Sequence, residues 1–201
     1  PACARKGASL LILTRAFVVA GFFICALNVR AQLDPGGDYG PTNVPIESWS
    51  FNDRVNWTDD DGFAPVSFTN LSSSYLGNGR SLVVDTNIEA WLQYPVWATD
   101  GWTNLTVDSG SVTFWFAPNW SSVSDTNGGF GPGDYGRLLE VGHYTDDSSY
   151  GLWSIFVDDG GTNLYFAAQT NDLSSSMTVY LHTPIDWTTN YFHFVAVTYS
   201  P

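Results

Sequence analysis

Gly110–Trp120 (Gly-Ser-Val-Thr-Phe-Trp-Phe-Ala-Pro-Asn-Trp) carries bulk on both faces of an extended chain. Alternate side chains of a strand point to opposite faces. Val112, Phe114 and Phe116 therefore share one face, and Thr113, Trp115 and Ala117 the other. Such a strand belongs inside a sheet, covered on both sides, and not at an edge. Pro118 ends it, because proline has no N–H for the ladder.

The sequence supplies partners for it. Ile46–Asn52, Arg80–Asp85 and Glu89–Val96 precede it as short strand candidates. Arg137–Val141, Leu152–Val157, Asn163–Gln169, Met177–His182 and Tyr191–Tyr199 follow. Between Leu152–Val157 and Asn163–Ala168 lies Asp158-Asp159-Gly160-Gly161, a strong hairpin signal because glycine adopts positive φ without penalty. Ser121–Gly136, rich in Gly, Ser and Asp, is the longest loop. No stretch after residue 31 keeps a helical period over three turns. Many short strands with turn signals about every 8–12 residues predict an all-β antiparallel sandwich or barrel.

Eight asparagines directly follow a threonine: Asn43, Asn70, Asn87, Asn104, Asn127, Asn163, Asn171 and Asn190. Threonine favours strands and asparagine tolerates left-handed backbone, so the pair predicts points where a strand gives way to a turn. Asn-x-Ser/Thr sequons at Asn56, Asn70, Asn104 and Asn119 matter only where the source glycosylates its proteins.

The first 31 residues differ in kind. Arg5, Lys6 and Arg15 precede or border the apolar run Ala16–Leu27, and Val29-Arg30-Ala31 offers short residues at a cleavage point. That is the pattern of a secretory signal peptide over residues 1–31, cleaved after Ala31. The run is too short for a membrane span, which needs roughly 20 apolar residues. Phe22-Phe23-Ile24 lacks the small residue that a lipoprotein site wants before Cys25. Residues 32–45, with Pro35, Gly36, Gly37, Gly40, Pro41 and Pro45, read as a linker, and 46–201 as one domain.

Cleavage would remove both cysteines, so the mature segment would form no disulfide of its own. It would also remove four of the seven Lys+Arg and none of the 20 Asp+Glu. So acidic a surface repels nucleic acid and anionic membranes, and suits a neutral or cationic partner.

The order of the strand motifs resembles the laminin-G-like domains of the concanavalin A-like jelly-roll class. The matching pieces are Trp49-Ser50-Phe51-Asn52, Gly79–Asp85, Thr113–Pro118, Leu138–Gly142, the Gly151–Gln169 hairpin, and Phe192–Tyr199 with Phe where the family has Trp. The resemblance implies a jelly-roll sandwich over Trp49–Tyr199 in a secreted recognition domain for glycans or extracellular proteins. The family continues with further strands where this chain reaches Ser200-Pro201, which implies missing C-terminal strands and exposed sheet edges.

Several hydrolases of this fold use two glutamates about 5 Å apart. The only glutamates here are Glu47, Glu89 and Glu140, and none has a carboxylate two residues on. The visible chain therefore argues against a glycoside hydrolase. His143, His182 and His193 lack metal-ligand spacing, and His193 reads as a hydrogen-bonded structural residue.

No cofactor is fixed by the sequence; calcium is the best candidate, since related domains hold it with loop carboxylates, while each acidic cluster equally reads as a solvated turn. The acidic clusters name Asp59, Asp61, Asp146 and Asp158 as candidates, although none has the spaced pattern that wraps one ion. Loop-borne Trp102, Trp120, Tyr144 and Trp187 are the candidate rings for stacking on a sugar. The sequence thus favours a secreted, non-catalytic module that binds carbohydrate or protein. A hydrolase fragment and a structural or adhesion spacer are the alternatives.

Overall fold

The computed structural model describes residues 9–14, 22–30, 47–76, 79–84, 90–96, 109–144, 149–168 and 178–199. All of its regular elements are strands: β1 (Ser9–Thr14), β2 (Phe22–Arg30), β3 (Glu47–Trp49), β4 (Ser67–Thr69), β5 (Leu71–Leu76), β6 (Gly79–Val84), β7 (Ala90–Pro95), β8 (Gly110–Pro118), β9 (Gly136–Tyr144), β10 (Ser149–Val157), β11 (Asn163–Ala168), β12 (Thr178–Pro184) and β13 (His193–Tyr199). No described helix is long and apolar enough to cross a membrane.

The strands form two antiparallel sheets. One has seven strands in the order β12-β11-β10-β9-β1-β7-β4; the other has six, of which five run β13-β8-β2-β6-β5 and β3 pairs with β2. Val112, Phe114 and Phe116 of β8, Val195 and Val197 of β13, Leu92 and Tyr94 of β7, and Trp153, Ile155 and Val157 of β10 join one buried cluster. Rings link the two sheets directly: Trp49 meets Tyr94 at 5.3 Å between centroids, and Trp153 meets Tyr199 at 5.1 Å.

β8 begins at Gly110, ends at Pro118 and lies inside its sheet between β13 and β2, as its sequence predicts. Its outer face departs from the expectation. Trp115 is 44% exposed and packs against Phe194 of β13, itself 56% exposed, so the strand is fully covered on one side only. Bulk on both faces predicts double burial. Here the outer ring is half-covered by a cross-strand neighbour instead.

Two of the four described Thr-Asn pairs serve as corners; Asn127 lies within the long loop and Asn163 opens β11, neither with left-handed backbone. Asn70 has φ 52°, and it stands between β4, in the seven-stranded sheet, and β5, in the six-stranded one. The left-handed residue turns the chain from one sheet into the other. Asn190 has φ 64° just ahead of β13, and its N–H donates to the Pro118 carbonyl at 2.7 Å. Asn43, Asn87, Asn104 and Asn171 lie outside the described residues.

β1 and β2 fall within the stretch whose sequence has the form of a signal peptide. β1 pairs with β7 and β9, and β2 with β3, β6 and β8. Apolar, β-branched residues suit an export signal and a buried strand equally, so composition alone does not separate the two. The linker, 32–45, lies outside the described residues.

Candidate functional site

Three loops meet beside the end of β8. Ser122 ties them together. Its N–H donates to the Trp187 carbonyl at 2.8 Å, its Oγ accepts the Trp187 N–H at 2.8 Å, and its hydroxyl donates to the Gly161 carbonyl. Val123 N–H donates to Gly160, Gly131 N–H to Ser121, and Gly133 N–H to Asp159. Thr189 N–H reaches Ser121 Oγ at 3.1 Å, and Thr188 Oγ1 donates to Asp125 at 3.1 Å. The long Gly-rich loop is therefore fixed to the β10–β11 hairpin and to the segment before β13.

Two of the expected sugar-stacking rings lie under this assembly. Trp120 is 5% exposed and Trp187 8%. They stack on each other at 6.0 Å, Phe116 packs on Trp187 at 5.3 Å, and His193 stacks on Trp187 at 4.9 Å. Their faces are occupied by protein, so they anchor loops and offer no ligand surface. A loop position in sequence suggested exposure, but an indole has enough apolar area to draw a loop onto the core. Trp102 lies outside the described residues, as does the side chain of Tyr144. His193 is structural: burial lowers its pKa, while a hydrogen bond with the Thr188 backbone acts the other way.

Asp158 is not a free metal ligand. One of its oxygens accepts the N–H groups of Thr162 and Asn163 at 2.6 and 3.2 Å; the other accepts Thr162 Oγ1 and Asn163 Nδ2, both at 2.8 Å. Burial pushes this carboxyl up, but the hydrogen bonds from Asn163 and Thr162 outweigh it and hold the group below the usual carboxylate range. The carboxylate closes the hairpin turn. Asp59 is buried; one oxygen accepts the Phe63 N–H at 2.6 Å and the other has no partner. Burial raises its pKa. Its neighbour Asp60 accepts hydrogen bonds from Ser48 and Ser50 at the end of β3, and Asp61 is exposed. Among the described residues no three His, Cys, Asp or Glu converge to hold a metal ion. Asp146 lies outside the described residues.

A different surface gathers rings that remain accessible. Phe156 of β10 pairs in register with Tyr165 of β11, and Tyr165 with His182 of β12. Arg137 of β9 pairs with Phe156 across an irregularity in the β9–β10 ladder. Such a bulge re-aims side chains. Because directly opposed residues share a face, the four form one row across four strands. Trp153, Ile155 and Val157 take the core side of β10, so the row is on the outer face of the seven-stranded sheet.

Phe156 and Tyr165 stack at 5.1 Å and 11°, Tyr165 meets His182 at 5.8 Å, and Tyr135 reaches Phe156 at 6.1 Å and 60°. Tyr135 is 58% exposed, and Phe156 and Tyr165 are half-buried. Arg137 forms an ion pair with buried Glu140. On the same face Ser154 is buried, and its hydroxyl has no partner. Burial raises the Tyr165 pKa, and the charges of Asp158 and Asp159 add to that. The ring row thus lies within the field of the acidic hairpin turn. The sequence carried its signal as aromatics at facing positions of a hairpin, which stands out only once the register is known.

No known protein family matches the chain, and neither a curated protein nor a solved structure is similar to it.

Proposed function

We propose that this chain is a secreted, non-catalytic recognition module, exported by residues 1–31 and built as a laminin-G-like jelly-roll sandwich. Two sheets that share one apolar cluster suit that architecture. Six motifs in family order support it from the sequence side. Its role is to hold a glycan or an extracellular protein on behalf of a larger exported assembly.

One observation carries the reading: Asp53, Asp125 and Asp158 are committed to their own loops while rings on the same framework stay open. Asp53 accepts the N–H groups of Val55 and Asn56, Asp125 that of Asn127, and Asp158 those of Thr162 and Asn163. Phe130, Tyr135 and Tyr191 are 89%, 58% and 66% exposed on the same framework. Groups arranged in that way hold a ligand by contact, and rigid loops lower the ordering cost of doing so.

A glycan array probed with the purified chain tests this, run with calcium and with a chelator because Asp146 and Asp147 lie outside the described residues. Retention of a glycan without new reducing ends is the expected result. Release of reducing ends would instead make the chain a hydrolase. Binding to nothing on the array or to immobilised matrix proteins would leave it a spacer.

A further inference from the structure

We propose that the outer face of β9–β12 is a binding site for a neutral, extended glycan, which lies across the strands along Tyr135, Phe156, Tyr165 and His182. This rests on the recognition reading above and gives it a place and a ligand class. It also moves the site away from the loop tryptophans, whose faces are occupied by protein.

The shape of the surface comes first. The row runs perpendicular to the strands with ring-to-ring steps of 6.1, 5.1 and 5.8 Å. Neighbouring strands impose that spacing. Phe156 and Tyr165 already stack on each other, so they form a raised apolar line along which an extended chain can lie, and the open ring face is that of Tyr135. Tyr135, tilted 60° from Phe156, breaks out of the stack and leaves a largely open ring for the apolar face of a pyranose.

Polar groups flank the rings. Tyr135 and Tyr165 each bring a phenolic hydroxyl that donates and accepts, and the half-exposed Arg137 brings donors. Asp159, exposed at the adjoining hairpin turn, brings an acceptor for sugar hydroxyls. Rings between hydroxyl, guanidinium and carboxylate groups match a polyol, which has apolar C–H faces and a hydroxyl rim.

Charge chooses among glycans. Asp158 and Asp159 both act on Tyr165, and the whole chain has a net charge of −13. An anionic glycan would approach against that field, whereas a neutral one meets no such penalty. The row also stands apart from β1, since β9–β12 are consecutive neighbours.

The test is a titration calorimetry series on the full chain. Its probes are neutral cello-, xylo-, manno- and laminari-oligosaccharides, an anionic oligogalacturonate, and poly-lysine as an extended basic peptide mimic. At least one neutral oligosaccharide binds. Tyr135→Ala and Tyr165→Ala each weaken that binding roughly tenfold or more. Tyr135→Phe and Tyr165→Phe lose less, because the ring remains.

Tyr135 precedes β9 and is exposed, so its variants keep the fold, and a thermal melt of each variant verifies this. A neutral oligosaccharide that binds all four variants as it binds the unaltered chain overturns the placement and leaves the recognition reading intact. Binding of oligogalacturonate alone overturns the ligand class. Capture of poly-lysine with no oligosaccharide, weakened by Tyr135→Ala and Tyr165→Ala, makes the row a protein-docking surface and overturns the glycan assignment. No binding of any probe overturns the glycan site, while the array with its matrix proteins decides the recognition reading.

Discussion

Gly161 lies against the indole of Trp120 so closely that a Cβ there would sit 2.4 Å from Cζ3 of the ring. Gly161 also has φ 62°, a conformation that side chains rarely adopt. The turn of the β10–β11 hairpin and the buried face of Trp120 therefore fix each other. Gly161→Ala should destabilise the chain by about 1–3 kcal/mol through this overlap. Thermal unfolding measures it, and Trp120 fluorescence should shift to the red as the ring loses its cover. An unchanged melt would mean that the turn and the ring are not in contact.

Asp158 closes the same turn from the other side, with two backbone and two side-chain donors. Asp158→Ala leaves the part-buried N–H groups of Thr162 and Asn163 without their acceptor, at a cost of about 1–2 kcal/mol. The folded carboxyl titrates below its unfolded value, so its stabilisation is complete above the unfolded value. It is lost as pH falls through the depressed folded value. The gap in melting temperature between parent and variant should therefore be widest near neutral pH and close in strong acid. A gap that widens on acidification would contradict the assignment.

Asn70 turns the chain from one sheet to the other at φ 52°. Asn70→Gly should be nearly neutral, because glycine reaches that backbone freely. Asn70→Val should cost about 1–2 kcal/mol, since a β-branched residue resists the left-handed region. Urea denaturation of the two variants checks the order. If valine is tolerated as well as glycine, the corner does not rest on Asn70.

The N-terminal segment has a direct assay. Export from a secreting host should yield a protein that begins at Gln32. β1 is the link between β7 and β9, and β2 the link between β6 and β8. The cleaved product should accordingly melt below the chain that keeps residues 1–31. N-terminal sequencing together with the two melts decides it. An exported product that still carries Phe22–Arg30 would make that segment a permanent strand and not a leader.

Much of the fold is legible in the sequence. β8, the β10–β11 hairpin and β13 carry long apolar runs or glycine turns, and local pattern places their ends within three residues. β4 and β5 went unread, because Ser67–Thr69 and Leu71–Leu76 are short and serine-rich, with too little apolar alternation to signal a strand. The site was harder to read. A loop position favours exposure of Trp120 and Trp187, whereas packing against Phe116 and against each other, and of His193 on Trp187, buries them. Phe156, Tyr165 and His182 looked like ordinary strand residues. Their alignment depends on pairing register between three strands, which no single stretch of sequence states.

The most direct measurement is a two-dimensional NMR titration of the isotopically labelled chain with the neutral oligosaccharide that binds it best. The account predicts that the largest shifts fall on Tyr135, Arg137, Phe156, Tyr165 and His182, with Trp120 and Trp187 unmoved. Shifts centred on Trp120 and Trp187, or no saturable shifts at all, would contradict it.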